Sequence, residues 1–279
     1  MVDTTIAVFG STGSLGGMVA ARLAARGVPQ RLVVRDSSRA PRLERSRVAV
    51  ASYLDTPAMI SALEGIRTAF FVSGEASDER MLHHRAAVDA FVTAGVRRVV
   101  YTSFVGTAPD AVFTFARDHF HTERYLESAG LRFSALRSSL YQDMLPDLVI
   151  DGIVRGPAGT GRFAPVSRSD IADVTVALLL DEDQPTARID ITGPELLSMA
   201  QVAELLGEAA GSPVAFVDET LAEAYESRAG FDVPAYEIEG WVTSYSAIAA
   251  GELAIVSGAV ERITGHPPIS LRAYLEPHG

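Results

Sequence analysis

Gly10, Gly13 and Gly16 stand between an apolar run, Ile6-Ala7-Val8-Phe9, and a stretch of helical periodicity from Leu15 to Arg26. That context makes the segment Gly10-Ser11-Thr12-Gly13-Ser14-Leu15-Gly16 a strand–turn–helix junction. Backbone N–H groups at the positively polarised start of a helix are suited to a pyrophosphate. Gly10 is expected to make the turn, Gly13 to let the backbone approach the phosphates, and Gly16 to let the helix pack on the strand. The spacing is G-x-x-G-x-x-G rather than G-x-G-x-x-G. Incidental glycines in a plain turn are the alternative, and the flanking strand and helix argue against it.

A second group follows the next apolar run. Val33-Val34 leads into Arg35-Asp36-Ser37-Ser38-Arg39. An acidic residue at this strand end would bind a ribose 2′-hydroxyl and select NAD(H). Arg35 comes first instead, and Arg39 follows four residues on. Two guanidinium groups with serine hydroxyls between them suit a 2′-phosphate by charge and by bidentate geometry. NADP(H) is therefore the expected cofactor. Asp36 keeps NAD(H) open as the second choice, and solvated surface arginines are the remaining alternative.

The elements that must position these groups alternate regularly over the first 140 residues. Strands are expected at Ile6–Phe9, Arg31–Val34, Ser46–Ala51, Thr68–Val72, Arg98–Thr102 and Phe133–Leu136. Helices are expected at 15–26, 56–63, 78–94 and 117–129. Continuous apolar strands, each followed by a helix, imply a doubly wound parallel sheet covered on both faces, an α/β fold of Rossmann type. After residue 140 the rhythm changes. Residues 152–162 are glycine-rich and read as loops with a hairpin. A helix is expected at 170–180, and Arg188–Thr192 reads as one more strand of the main sheet. Helices follow at 198–210, 220–229 and 236–250, with a short segment at 214–217 among them. The expected division is a dinucleotide-binding domain over 1–140, to which 168–193 returns. A smaller, mostly helical substrate lobe would comprise 141–167 and 194–279.

Composition bounds the function. The chain has 279 residues, 48% of them hydrophobic, and a net charge of −11. That balance argues against a nucleic-acid partner, which needs a basic face. There is no cysteine, hence no thiolate chemistry and no Cys-ligated metal. His83 and His84 are adjacent on a helix and face different directions, so no metal site is expected there. Arg97 and Arg98 precede a strand and are expected in solvent. No signal-peptide core and no membrane-spanning run is seen, so a cytoplasmic protein acting on a small molecule is expected. A homodimer stays open.

Several segments carry a resemblance. The opening Ile-Ala-Val-Phe-Gly-Ser-Thr-Gly-Ser-Leu-Gly, the Arg35-Asp36 pair, Val99-Val100-Tyr101-Thr102-Ser103, residues 119–126, Leu136-Arg137-Ser138-Ser139-Leu140-Tyr141 and the closing Thr264-Gly265-His266-Pro267-Pro268 resemble the NmrA-like branch of the atypical short-chain dehydrogenase/reductases. Within that branch the chain is most similar to type-two NAD(P)H:quinone oxidoreductases and triphenylmethane reductase. The resemblance implies that residues 10–16 hold the pyrophosphate and Arg35 with Arg39 the 2′-phosphate. It implies that Ser73 and Gly74 pass the adenosine ribose and pyrophosphate. Thr102 and Ser103 would face the nicotinamide side, and 136–141, with Arg137 and Tyr141, would border nicotinamide and substrate. An acidic residue that often contacts adenine in relatives is replaced here by Ser52.

Many members of the wider superfamily use Tyr-x-x-x-Lys on one helix face as a proton-transfer dyad. The matching positions here are Phe115 and His119, and a phenylalanine transfers no proton. Two readings follow. NADPH passes hydride directly to a flat, conjugated acceptor such as a quinone or a cationic dye, with the proton from water, His119 or Tyr141. Otherwise the chain binds NADP(H) without turnover and reports redox state to a partner. A reductase or isomerase with its own specialised substrate is a third. The compact length favours the enzyme, with His119 and Tyr141 as candidate catalytic residues and His119 also a candidate ribose contact. The aromatics Tyr225, Phe231, Tyr236, Trp241 and Tyr245 are either core or an apolar wall for the substrate.

Overall fold

A computed structural model describes residues 5–74 and 77–276. Strands β1 (Ile6–Phe9), β2 (Gln30–Val34), β3 (Ser46–Val50), β4 (Thr68–Phe71), β5 (Arg98–Phe104) and β6 (Arg132–Ser138) alternate with helices α1 (Ser14–Ala25), α2 (Thr56–Ala62), α3 (Arg80–Thr93) and α4 (Thr114–Ser128). Short strands β7 (Ile153–Gly156) and β8 (Arg162–Phe163) lead to α5 (Arg168–Leu180) and β9 (Ala187–Ile191). The remainder is β10 (Leu197–Ser198), α6 (Met199–Ala210), β11 (Ala215–Asp218), α7 (Leu221–Arg228), α8 (Ala235–Ala249), α9 (Ala259–Thr264) and α10 (Leu271–Leu275).

The main sheet has seven strands in the order β3-β2-β1-β4-β5-β6-β9 and is parallel. In register, Ile6 lies opposite Gln30 on one side and Thr68 on the other. Every residue of β1 and β4 is buried, as a strand covered on both faces requires. Alternate residues part to opposite faces. Ala7, Phe9, Val33, Ala69, Phe71, Val99, Tyr101, Phe133 and Ala135 share one core with Met59, Val88, Phe91 and Leu126 of α2, α3 and α4. At the edge, β3 exposes Val48 and Val50.

Arg98, expected in solvent, is instead among the largest fully buried side chains. Its guanidinium donates to the carbonyls of Leu178 (2.6 Å) and Leu179 (3.1 Å). These are among the last carbonyls of α5, where a cation meets the negative helix end and unpaired acceptors. Sequence spacing along one strand carries no information about a helix 80 residues on, which is why this contact is invisible there.

The chain divides into two compact units. One comprises Met1–Ser103, His121–Leu136 and Ile171–Ile189; the other comprises Phe104–Phe120, Arg137–Asp170 and Asp190–Gly279. The second unit has its own core, in which Phe163, Val202, Tyr245, Ile248 and Leu271 pack together. The hairpin expected within 152–162 is not formed. β7 pairs in parallel with β11, and β8 pairs antiparallel with β10. Both partners are distant in sequence, so local glycine content carries no sign of these pairings. Helices α6 and α7 each start with a capping box, Ser198 with Gln201 and Thr220 with Glu223, in which side chain and backbone satisfy each other's orphan donors.

Candidate functional site

The strand order reverses between β1 and β4, so the connections after these two strands leave in opposite directions. Open α/β sheets bind ligands at such a switch point, beyond the carboxyl ends of the strands. The loop after β1 is Gly10–Gly13. Gly10 has φ +65°, in the left-handed region, and its carbonyl accepts the Gly13 N–H at 2.9 Å. A Cβ on Gly16 would lie 2.2 Å from the Gly10 carbonyl oxygen, so only glycine lets α1 start this close to the strand. Gly13 is the extended N-cap of α1, makes no side-chain cap, and no acidic residue lies in the first turn. The α1 start therefore presents backbone N–H groups and positive polarisation uncompensated by its own side chains. Ser11 is buried, and its Oγ finds no hydrogen-bond partner among the described residues. Thr12, Gly13 and Ser14 are exposed, whereas the Leu15 side chain lies in the core. A glycine cradle, an unpartnered buried hydroxyl and a free helix start fit a diphosphate.

Beyond β2, Arg35 and Arg39 are both exposed. Between them Ser37–Arg39 forms one turn of 3-10 helix capped by Asp36. Asp36 Oδ1 accepts from the Ser38 N–H at 2.9 Å and the Ser38 hydroxyl at 2.7 Å. These two bonds hold its carboxyl below the usual range, with Arg39 adding a smaller attraction. One oxygen of the residue that would have selected NAD(H) is thus committed to shaping the arginine turn.

The segment after β4, Val72-Ser73-Gly74, is gripped residue by residue. The Val72 carbonyl accepts the Tyr53 hydroxyl at 2.8 Å. The Ser73 N–H donates to Thr102 Oγ1 at 2.7 Å, and the Gly74 N–H to His84 Nε2 at 3.1 Å. The Val72 side chain reaches within 3.2 Å of where a Gly10 Cβ would sit, so this segment packs directly on the glycine loop. Thr102 and Ser103, the next residues on β5, are both buried. Ser103 Oγ donates to Glu123 Oε1 at 2.6 Å, and Arg188 Nε donates to Glu123 Oε2 at 2.8 Å. That buried carboxylate is thus neutralised and hydrogen-bonded, as burial demands. Tyr53 and His84 were not among the expected site residues. His84 was legible: residues 80, 84, 87, 88 and 91 form the buried stripe of α3, at the helical spacing of one face.

A family model described as NAD(P)H-binding matches residues 10–182, which contain the glycine loop, the arginine turn and the Val72–Gly74 segment. The chain belongs to the NAD(P)H-binding, NmrA-like family. It is 27% identical to the NAD(P)H azoreductase of Xenophilus azovorans, covering 98% of this chain and 97% of that protein. It is 26% identical to quinone oxidoreductase 2 of Escherichia coli, covering 95% and 96%. A crystal structure of an NADPH-dependent quinone oxidoreductase from Escherichia coli, complexed with NADPH, superposes with a TM-score of 0.89 at 25% identity over 97% of this chain and 98% of that one. By family the chain is an NAD(P)H-dependent oxidoreductase, and the loop and arginine geometry above fits that cofactor.

This NmrA-like chain lacks the superfamily's dyad. The chain contains no lysine at all; its 24 basic residues are arginines. Phe115 packs on α8, where a Cβ on Gly240 would meet the ring's Cζ at 2.4 Å, and the ring lies 5.4 Å from that of Phe113. His119, one turn on, is buried. Arg137 and Tyr141 are half-buried, and the Arg168 guanidinium lies 4.9 Å from the Tyr141 ring centroid. His119, Arg137 and Tyr141 belong to the second unit and the glycine loop to the first. Tyr245, named as core or substrate wall, is buried, whereas Tyr225 and Phe231 are exposed. Among the described residues no helix is long and apolar enough to cross a membrane, and no cluster of three or more His, Asp or Glu is placed to hold a metal.

Proposed function

We propose that the chain is an NADPH-dependent reductase of a flat, conjugated small molecule, of quinone type or an electron-poor dye. The observation that carries this is the missing dyad. Phe115 stands where a proton-transferring tyrosine would be, and no lysine exists to tune one. Reduction of a simple ketone needs a proton at the nascent alkoxide. An acceptor whose product anion is delocalised, or whose positive charge is merely neutralised, does not. The azo and quinone activities named for the relatives agree with such acceptors.

NADPH, when bound, supplies the hydride. The amides of residues 10–16 hold its pyrophosphate, Arg35 and Arg39 hold its 2′-phosphate, and Ser73, Gly74, Thr102 and Ser103 form the wall along which it lies. The protein's task is then chiefly to orient donor and acceptor. Within the second unit, His119 and Tyr141 are the residues assigned to hold or deliver a proton. The test is NADPH oxidation, followed at the nicotinamide absorbance, with a panel of quinones and cationic dyes; rapid oxidation is expected. Tight NADPH binding with no oxidation of any member would overturn the reductase reading and favour a non-catalytic NADP(H) binder.

A further inference from the structure

We infer that His84, as its Nδ1–H tautomer, is the positioning residue that fixes the Val72–Gly74 segment and thereby sets affinity for the dinucleotide. The inference rests on the reading that this segment lines the cofactor.

The geometry dictates the tautomer. The Gly74 N–H can only donate, so Nε2 of His84 carries a lone pair. The ring proton is therefore on Nδ1, which lies 2.8 Å from Thr122 Oγ1 and donates to it. The Thr122 hydroxyl in turn donates to Met81 Sδ at 3.7 Å. The direction of both imidazole bonds is thus set by one backbone amide. The ring itself cannot swing. It meets Phe71 edge-on at 5.1 Å and Tyr101 at 5.9 Å, and it is 1% exposed. Burial drives its pKa down to about 3, helped by Arg80 and His83, so the neutral form that the geometry requires is the one present at neutral pH.

The consequence lies in what Gly74 adjoins. Three consecutive residues are held by side chains from three places: Tyr53 after β3, Thr102 on β5 and His84 on α3. Tyr53 and Thr102 hold Val72 and Ser73 close to the strand end. Beyond them, His84 is what holds the Gly74 amide. Val72 rests against Gly10, so displacement of this segment alters the floor of the phosphate loop. An imidazole suits the position because it offers an in-plane acceptor at one end and a donor at the other. A glutamine amide offers the same pair on a flexible stem; a leucine of similar bulk offers neither.

The test compares His84→Leu and His84→Gln with the wild type. NADPH dissociation constants come from nicotinamide fluorescence, folding from circular dichroism and melting, and the imidazole tautomer from 15N NMR of the wild-type protein. The wild-type spectrum should show a protonated Nδ1 and a bare Nε2. His84→Leu should weaken NADPH binding about tenfold or more, following the loss of one buried acceptor. In a reductase assay it should raise KM for NADPH with little change in kcat. His84→Gln should recover most of the affinity. A folded His84→Leu protein that binds NADPH like the wild type would overturn the proposal, as would a wild-type imidazole protonated at Nε2. If His84→Leu does not fold, Thr122→Val, which removes the Nδ1 partner together with the hydroxyl's contact to Met81, takes its place, and unchanged affinity there counts equally against the proposal. Wild-type protein that fails to bind NADPH would instead sink the parent reading before any variant is made.

Discussion

Arg35 and Phe115 make the sharpest predictions at the scale of single residues. Arg35 follows β2 with its carboxylate neighbour engaged in capping the Ser37–Arg39 turn. A guanidinium–phosphate contact is a charge-assisted bond, so Arg35→Ala should weaken NADPH binding by about 10- to 100-fold and leave NADH binding nearly unchanged. Titration of both nucleotides checks this; equal losses would remove the 2′-phosphate assignment. Phe115→Tyr restores the superfamily tyrosine in name only. The new hydroxyl would project from Cζ, the ring atom that a Cβ on Gly240 would meet first, so it must be accommodated where the ring packs on α8. Overpacking of this kind costs about 1–3 kcal/mol. The expected result is a lowered urea midpoint and no gain of activity on simple ketones or alcohols. New alcohol dehydrogenase activity would show that the missing phenol alone had withheld it.

At the scale of elements, the buried Arg98 ties β5 to the end of α5. Near the end of α5, the Leu178 and Leu179 carbonyls are capped by Arg98 from β5 rather than by water. Arg98→Met keeps much of the side-chain volume and removes both donors to Leu178 and Leu179. Leaving buried acceptors unpaired costs about 1–3 kcal/mol each, so equilibrium unfolding in urea should shift by that order. An unchanged midpoint would mean water or a neighbouring group replaces the guanidinium. The elements themselves were legible where the pattern is local. β1, α1 and the glycine loop declare themselves by an apolar run, a turn and a helical period in sequence. The β7–β11 and β8–β10 pairings did not, because two- to four-residue strands carry no period of their own and exist only through partners far along the chain.

At the scale of the whole molecule, buried ionisable groups link stability to pH. His84 has its pKa lowered from 6.5 to about 3, chiefly by burial. Between those values the unfolded chain takes up a proton that the folded one refuses. Its contribution is therefore intact above pH 6.5 and is lost as pH falls, by about 1.4 kcal/mol per unit at most. Urea unfolding from about pH 7 to about pH 4 should show a slope that His84→Gln reduces by close to one proton. An identical slope in the variant would mean that other groups carry the acid sensitivity. What the amino-acid sequence determined by itself is the Rossmann-type order of elements, the glycine loop between strand and helix, the arginine pair and the absence of the Tyr–Lys dyad. Each follows from residue type and spacing within a few turns of chain. Only the tertiary structure decided that Arg98 is buried and that Tyr53, Thr102 and His84 converge on three successive residues. Those facts depend on which distant elements share a face, and a hydrogen bond between residues 10 to 80 apart leaves no period in the sequence that joins them.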